Sequence, residues 1–178
     1  AFMQDGILAY ISIGSNTGDP LQNCREAIGR LSRAAESVLL SVSSFYRTEP
    51  VPVADAEGPP EAPEKQNWFV NAAVEIRTTL LPRDLLSAMQ DIEQAMGRVR
   101  TYRGAPRVID LDLLLYGQNI IREADLTVPH PELHKRLFVL APLCEIASYV
   151  LHPVFGVSMR GLKDRLEDFR TVERLTLK

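Results

Sequence analysis

The chain has 178 residues, 46% hydrophobic and 24% charged, which excludes collagen, coiled-coil and disordered classes and fits one soluble globular domain over 1–178. Its 20 basic and 23 acidic residues leave a formal net charge of −3, which argues against a broad nucleic-acid or membrane surface. No apolar run approaches the roughly 18–20 residues that span a bilayer.

Ile7 to Ile13 reads as a buried strand, not a secretory signal, because it lacks a basic leader and runs into Gly14-Ser15-Asn16. Met3 sits behind Ala1-Phe2, which marks those two residues as an expected non-native addition. Asp19 then Pro20 predicts a helix start, a side-chain cap followed by a residue with preset φ and no N–H to satisfy. Leu21, Cys24, Ile28 and Leu31 follow at helical spacing. Val38 to Tyr46 reads as one strand. Glu49 to Lys65 carries Pro50, Pro52, Pro59, Pro60 and Pro63 and reads as a long loop within the domain.

Trp68 to Ile76 is a predicted strand. Pro82 opens a second helix with an apolar stripe of Leu85, Leu86, Met89, Ile92 and Met96, closed by Gly97. Arg98 to Arg107 reads as a basic loop and Val108 to Tyr116 as a strand. A short helix ending near Ala147 and an amphipathic segment from Leu162 complete the chain. The order predicts an α+β fold, the ferredoxin-like βαββαβ antiparallel sheet, with two helices on one face and long active-site loops. Cys24 and Cys144 lack metal-ligand spacing and a CxxC partner, so two buried free thiols in a reducing compartment are expected.

The sharpest chemical signal lies in the last long strand. Alternation puts Ile109, Leu111, Leu113 and Leu115 on one apolar face and Asp110 and Asp112 together on the other. Their Cα atoms would lie about 6.5 Å apart, where two carboxylates repel by about 2–3 kcal/mol at an effective dielectric near 20. A mid-strand pair of this kind is costly unless cations compensate. Hard oxygen ligands suit Mg²⁺, which keeps several waters and takes one or two protein carboxylates plus phosphates. A bare Asp-x-Asp is also what a solvated sheet face looks like.

Residues 98–107, just before the pair, hold Arg98, Arg100, Arg103 and Arg107 and no acid. Guanidinium forks match phosphate oxygens, so this loop beside the acids suits a metal-bound polyphosphate. There is no GxxxxGK[ST] loop. Gly14 predicts a tight turn, with close backbone approach available there. His130, next to Pro129, is either structural or a donor to a phosphate oxygen. Asn71, amid apolar strand residues, must find partners if buried; it offers a donor and an acceptor to a heterocycle edge or to the sheet edge.

These residues lead to a resemblance. The segments Ala9-Tyr10-Ile11-Ser12-Ile13-Gly14-Ser15-Asn16, Ser43-Ser44-Phe45-Tyr46-Arg47-Thr48, Phe69-Val70-Asn71-Ala72-Ala73-Val74, Gly97-Arg98-Val99-Arg100, Pro106-Arg107-Val108-Ile109-Asp110-Leu111-Asp112 and Leu126-Thr127-Val128-Pro129-His130 occur in this order over nearly the whole chain. Together they resemble the 6-hydroxymethyl-7,8-dihydropterin pyrophosphokinase family of folate biosynthesis. The resemblance implies diphosphate transfer from ATP to the pterin hydroxymethyl group, with release of AMP. It implies two Mg²⁺ ions on Asp110 and Asp112, and Arg98 and Arg107 as catalytic cations on the β- and γ-phosphates. Gln90, Glu93, Arg100, Leu113, Thr127, His130 and Arg136 match ATP-site positions. Thr48, Val51, Phe69, Asn71 and Phe138 match the pterin pocket, with Phe138 stacking on the ring. The implied enzyme is a cytoplasmic monomer acting on small molecules, with no nucleic-acid or membrane partner.

Four departures stand out. Gly104-Ala105-Pro106-Arg107 lacks the Trp the family usually carries there, and Tyr102 is expected to restore part of that wall; unchanged pterin affinity and turnover in Tyr102→Ala would contradict it. Thr101 or Tyr102 replaces a usual basic residue, Asp125 an arginine, and Glu49 the first proline after Thr48. The alternatives left open are a metal-dependent phosphodiesterase or nucleotidyl hydrolase using the same acids, and a ligand-sensing module without turnover.

Overall fold

The computed structural model describes residues 5–49, 68–97, 108–168 and 170–176. Arg98, Arg100, Tyr102, Arg107 and Val51 lie outside them, as do Ala1 and Phe2. The elements are β1 (Ile7–Ser15), α1 (Pro20–Ser32), β2 (Ser37–Val42), β3 (Tyr46–Thr48), β4 (Phe69–Thr78), α2 (Pro82–Ala95), β5 (Asp110–Tyr116), β6 (Ile121–Arg122), β7 (Thr127–Val128), α3 (Leu137–Ala147), α4 (Met159–Arg165) and β8 (Val172–Arg174), with a 3₁₀ turn at Leu133–Lys135. One antiparallel sheet runs β5-β1-β4-β3-β8, with β2 also on β4. This is the ferredoxin-like α+β arrangement the sequence predicts.

Local chemistry sets the boundaries. Asp19 accepts the N–H of Gln22 at 3.2 Å and Pro20 takes the first turn of α1. Gly97, with φ +85°, follows the end of α2 in a conformation that carries no penalty for glycine. The predicted strand Val38–Tyr46 is in fact two. Ser43 substitutes its hydroxyl for a ladder carbonyl, taking the N–H of Ala73 at 2.8 Å, and side-chain bonds of this kind compete with regular pairing. Pairing with β4 resumes at Tyr46. The strand predicted from Val108 begins at Asp110, so the acid pair stands at the strand's start and not in its middle.

The sheet is covered on both faces, not on one. Ile11, Ile13, Ala72, Val74, Leu111 and Leu113 pack with α1 and α2. Tyr10, Ala73, Leu114 and Leu115 pack with the residues of α3 and α4. Alternation already turns Tyr10 and Ala73 to the second face, and a bulge where β1 meets β5 adds one more residue to it. Tyr10 faces Leu115 but Ile11 faces Leu113, so Leu114 is extra and the alternation inverts beyond it. Leu115 therefore leaves the face predicted for it and joins the second core. Leu140, fully buried in α3, anchors that core. Leu140→Ala is expected to cost about 2–5 kcal/mol, through lost transfer energy plus the cavity left behind, measured by denaturant titration.

Beyond α3, the His152 ring is buried and stacks on Phe155 at 4.2 Å. Its Nδ1 accepts the N–H groups of Val154 and Phe155, both at 3.2 Å. Burial, helped by His134 beside it, holds its pKa below the usual imidazole value. The unfolded chain then binds the extra proton first, so this contribution is complete above about pH 6.5 and is lost as pH falls below that. Melting temperature is expected to fall on acidification from pH 7.5 to 5, with a shallower slope in His152→Gln. Cys24 is buried, with its thiol pushed up to about 12, while Cys144 is only half-buried; both are free.

Candidate active site

The site lies where β1 ends and β4 and β5 begin. Cross-strand neighbours in an antiparallel sheet share a face, and the register aligns Asp110 with Gly14, Gly14 with Asn71, and Asn71 with Tyr46. One row thus joins the acid pair to the buried amide of Asn71, with a glycine between them. A Cβ on Gly14 would meet Asn71 Oδ1 at 2.7 Å, so the close approach expected at Gly14 is its working role. Asn71 is 4% exposed and donates from Nδ2 to Thr48 Oγ1 at 2.7 Å. Phe69 opens β4 opposite Thr48. The stretches 50–67 and 98–107 both join the described chain at this end.

The second row pairs Asp112 with Ser12, and Ser12 with Ala73. Both aspartates are half-buried, on the face expected of them. The hairpin β6–β7 carries the chain through the cis Val128–Pro129 peptide to His130. The His130 backbone N–H donates to Leu114 O at 3.0 Å, fastening it to β5. Its Nε2 lies 3.9 Å from Asp112 Oδ1. Burial and then the Arg136 guanidinium hold the His130 pKa below the usual value, against the pull of Glu132 and Asp110. Nδ1 accepts the N–H of Glu132 at 3.1 Å. A neutral ring therefore carries its proton on Nε2, aimed at the acids.

On α2, Gln90 is exposed, while Glu93 is buried and accepts the N–H of Leu111 from β5 at 3.3 Å. Leu113 is buried beneath the acid face, and Thr127 is exposed on β7. Arg136 caps the start of α3, its guanidinium 5.6 Å from the Phe138 ring centre. The structure thus brings together Asp110, Asp112, His130, Asn71 and Thr48, with Arg136 acting on His130 and standing beside Phe138. Arg98, Arg100, Arg107 and Val51 lie outside the described residues.

Two departures acquire a physical meaning. Asp125 accepts a two-pronged bond from Arg83 of α2 at 2.9 and 3.0 Å, and Arg83 also pairs with Glu123. A guanidinium thus stands beside position 125, supplied from another element. Glu49 donates its backbone N–H to Thr171 O at 3.0 Å, a bond that proline could not make. The sequence predicts only an amphipathic segment from Leu162 there, and this pairing has no local signal because it joins residues over 100 positions apart.

The family of 7,8-dihydro-6-hydroxymethylpterin-pyrophosphokinase matches residues 10–148. A 2-amino-4-hydroxy-6-hydroxymethyldihydropteridine pyrophosphokinase of Haemophilus influenzae is 42% identical over 147 residues, 83% of this chain and 86% of that one. The protein of that name from Bacillus subtilis is 44% identical over 143 residues, covering 80% of each chain. In fold, the chain is similar to a wild-type HPPK-DHPS of Plasmodium falciparum solved with pteroate, at TM-score 0.70 and 14% identity. That match covers 90% of this chain but 44% of the solved one, so this chain spans less than half of that longer protein. The α+β fold is the one shared with that solved protein, and the match over residues 10–148 makes the chain a pyrophosphokinase by class. The chain belongs to the 7,8-dihydro-6-hydroxymethylpterin-pyrophosphokinase family and is an enzyme of the diphosphotransferase class.

Proposed function

We propose that the chain transfers diphosphate from ATP to the hydroxymethyl group of 6-hydroxymethyl-7,8-dihydropterin, releasing AMP, in folate synthesis, as a cytoplasmic monomer. The observation that carries this reading is the row Asp110–Gly14–Asn71. It sets a hard-anion pair and a buried donor–acceptor amide on one sheet face, separated by a residue with no side chain. The substrate hydroxyl oxygen attacks the β-phosphorus and gives up its proton to solvent, the bond from that phosphorus to the oxygen of AMP breaks, and AMP leaves with the electron pair. Chemistry of this kind needs positioning and charge neutralisation rather than a protein nucleophile.

Asp110 and Asp112 would hold two Mg²⁺ ions. Their oxygens are half-exposed, hard and adjacent, which fits a cation that keeps waters and phosphate oxygens as its remaining ligands. Bound magnesium supplies charge neutralisation on the phosphates. Arg98 and Arg107 hold the phosphate tail, and Gln90, Glu93, Arg100, Leu113, Thr127 and Arg136 line the nucleotide. His130 offers Nε2–H to a phosphate oxygen. On the other side of Gly14, Asn71 pairs with the pterin edge, Thr48, Val51 and Phe69 complete the pocket, and Phe138 stacks on the ring.

Product analysis with ATP, Mg²⁺ and the dihydropterin tests the reading. AMP is expected only when the pterin is present. AMP without pterin identifies a hydrolase, and retained binding without any product identifies a sensor.

A further inference from the structure

The family match ends at residue 148, yet the chain returns to the site after that point. β8 pairs with β3 along Tyr46–Thr48. Beyond Thr48, Glu49 holds Thr171 twice. Its N–H donates to Thr171 O at 3.0 Å, and its Oε2 accepts the Thr171 N–H at 3.1 Å. The segment is therefore fastened directly after a wall of the pterin pocket.

Asp168, at the other end of the segment, has a side chain 8% exposed. It accepts from Arg170 Nε at 3.0 Å, from Arg170 Nη2 at 2.8 Å and from the Arg170 N–H at 3.0 Å. It also accepts the N–H of Leu137, the first residue of α3, at 3.3 Å. These donors, Arg170 foremost, hold its carboxyl at about 2, so it is ionised throughout the working range. Arg170 is thereby fixed with its guanidinium 5.6 Å from the centre of the Phe138 ring. A single buried carboxylate thus anchors both the start of the helix that bears Phe138 and a cation against that ring. A bidentate fork of this geometry gives direction as well as charge.

We propose that Asp168 and Arg170 form a positioning pair of the pterin site: clipped to β3 through Glu49 and Thr171, the C-terminal segment sets the Phe138 ring in the attitude in which it receives the planar heterocycle. The inference rests on the reading of Phe138 as the stacking residue. Arg170 acts through Phe138, so its removal weakens pterin recognition and leaves the phosphate chemistry intact.

Steady-state kinetics on the full chain, with melting curves, test it. Arg170→Ala is expected to raise KM for the hydroxymethyldihydropterin about tenfold, the weight of a partly desolvated cation–ring contact. The kcat and the KM for ATP stay within about twofold. Arg170→Lys, which keeps the charge but loses the fork, is expected to fall between Arg170→Ala and the parent chain, and remains readable if Arg170→Ala fails to fold. Asp168→Asn is expected to follow Arg170→Ala. An unchanged pterin KM in the Arg170 variants, with Phe138→Ala defective, overturns the positioning role and leaves Phe138 as the stacking residue. Unchanged kinetics in Phe138→Ala as well overturns the reading beneath it. Equal losses for both substrates with a lower melting temperature show a merely structural contact and overturn the proposal.

Discussion

Replacing Asp112 by Ala is expected to lower diphosphate transfer by at least about a hundredfold while the melting temperature stays within a few degrees, and Asp110→Ala is expected to do the same. The loss follows from the position of both carboxylates at the start of β5. If they hold the cations that neutralise a polyphosphate in the transition state, removing either one removes electrostatic stabilisation of the class worth two or more orders of magnitude. The fold tolerates the change because neither side chain belongs to the two apolar cores. Removing one of two adjacent like charges also relieves repulsion. Single-turnover release of AMP, with calorimetry on the same samples, measures both halves. A turnover rate near that of the parent chain in either variant would remove the metal role.

The second large effect is expected at Asn71. Its amide is buried, bonded to Thr48 and pressed against Gly14. Asn71→Leu keeps the volume but removes both hydrogen-bonding functions, leaving Thr48 Oγ1 buried without its donor. Sites built to hydrogen-bond a ligand lose far more from such a change than apolar pockets lose from a methylene. The pterin KM is expected to rise about a hundredfold, with kcat less affected and the ATP KM unchanged. Equilibrium titration with 6-hydroxymethylpterin, an oxidised analogue, checks the binding part directly. An unchanged affinity would make Asn71 a sheet-edge contact only.

The two effects separate the halves of the site, and Gly14 is the residue between them. It could be read as a turn glycine from its neighbours Ser15 and Asn16. Its contact with Asn71 follows only from the register of β1 on β4. His130 shows the same limit. The sequence places it after a proline, near a strand, with an open choice between structural and phosphate-facing roles. The bond from its backbone to Leu114 and the acceptance at Nδ1 turn its Nε2 toward Asp112. The serine that splits β2 from β3 could not be told from a strand serine, because its hydroxyl replaces a carbonyl only when β4 is alongside.

Sequence alone determined the order of the main strands and helices from β1 to β5, though not the split between β2 and β3, together with the caps at Asp19 and Gly97, the pairing of two acids on one face and the family to which the segments point. These are properties of neighbours, where a period of two or 3.6 and a proline or glycine are enough to direct the backbone. Tertiary structure decided the rest. The bulge at Leu114 sent Leu115 to a second core, and α3 packed over the face that Tyr10 and Ala73 present. Arg83 crossed from α2 to Asp125, and the C-terminal segment came back to Phe138 through Asp168 and Arg170. Each of these joins residues far apart in the chain, and contact between them depends on packing and register that no local pattern encodes.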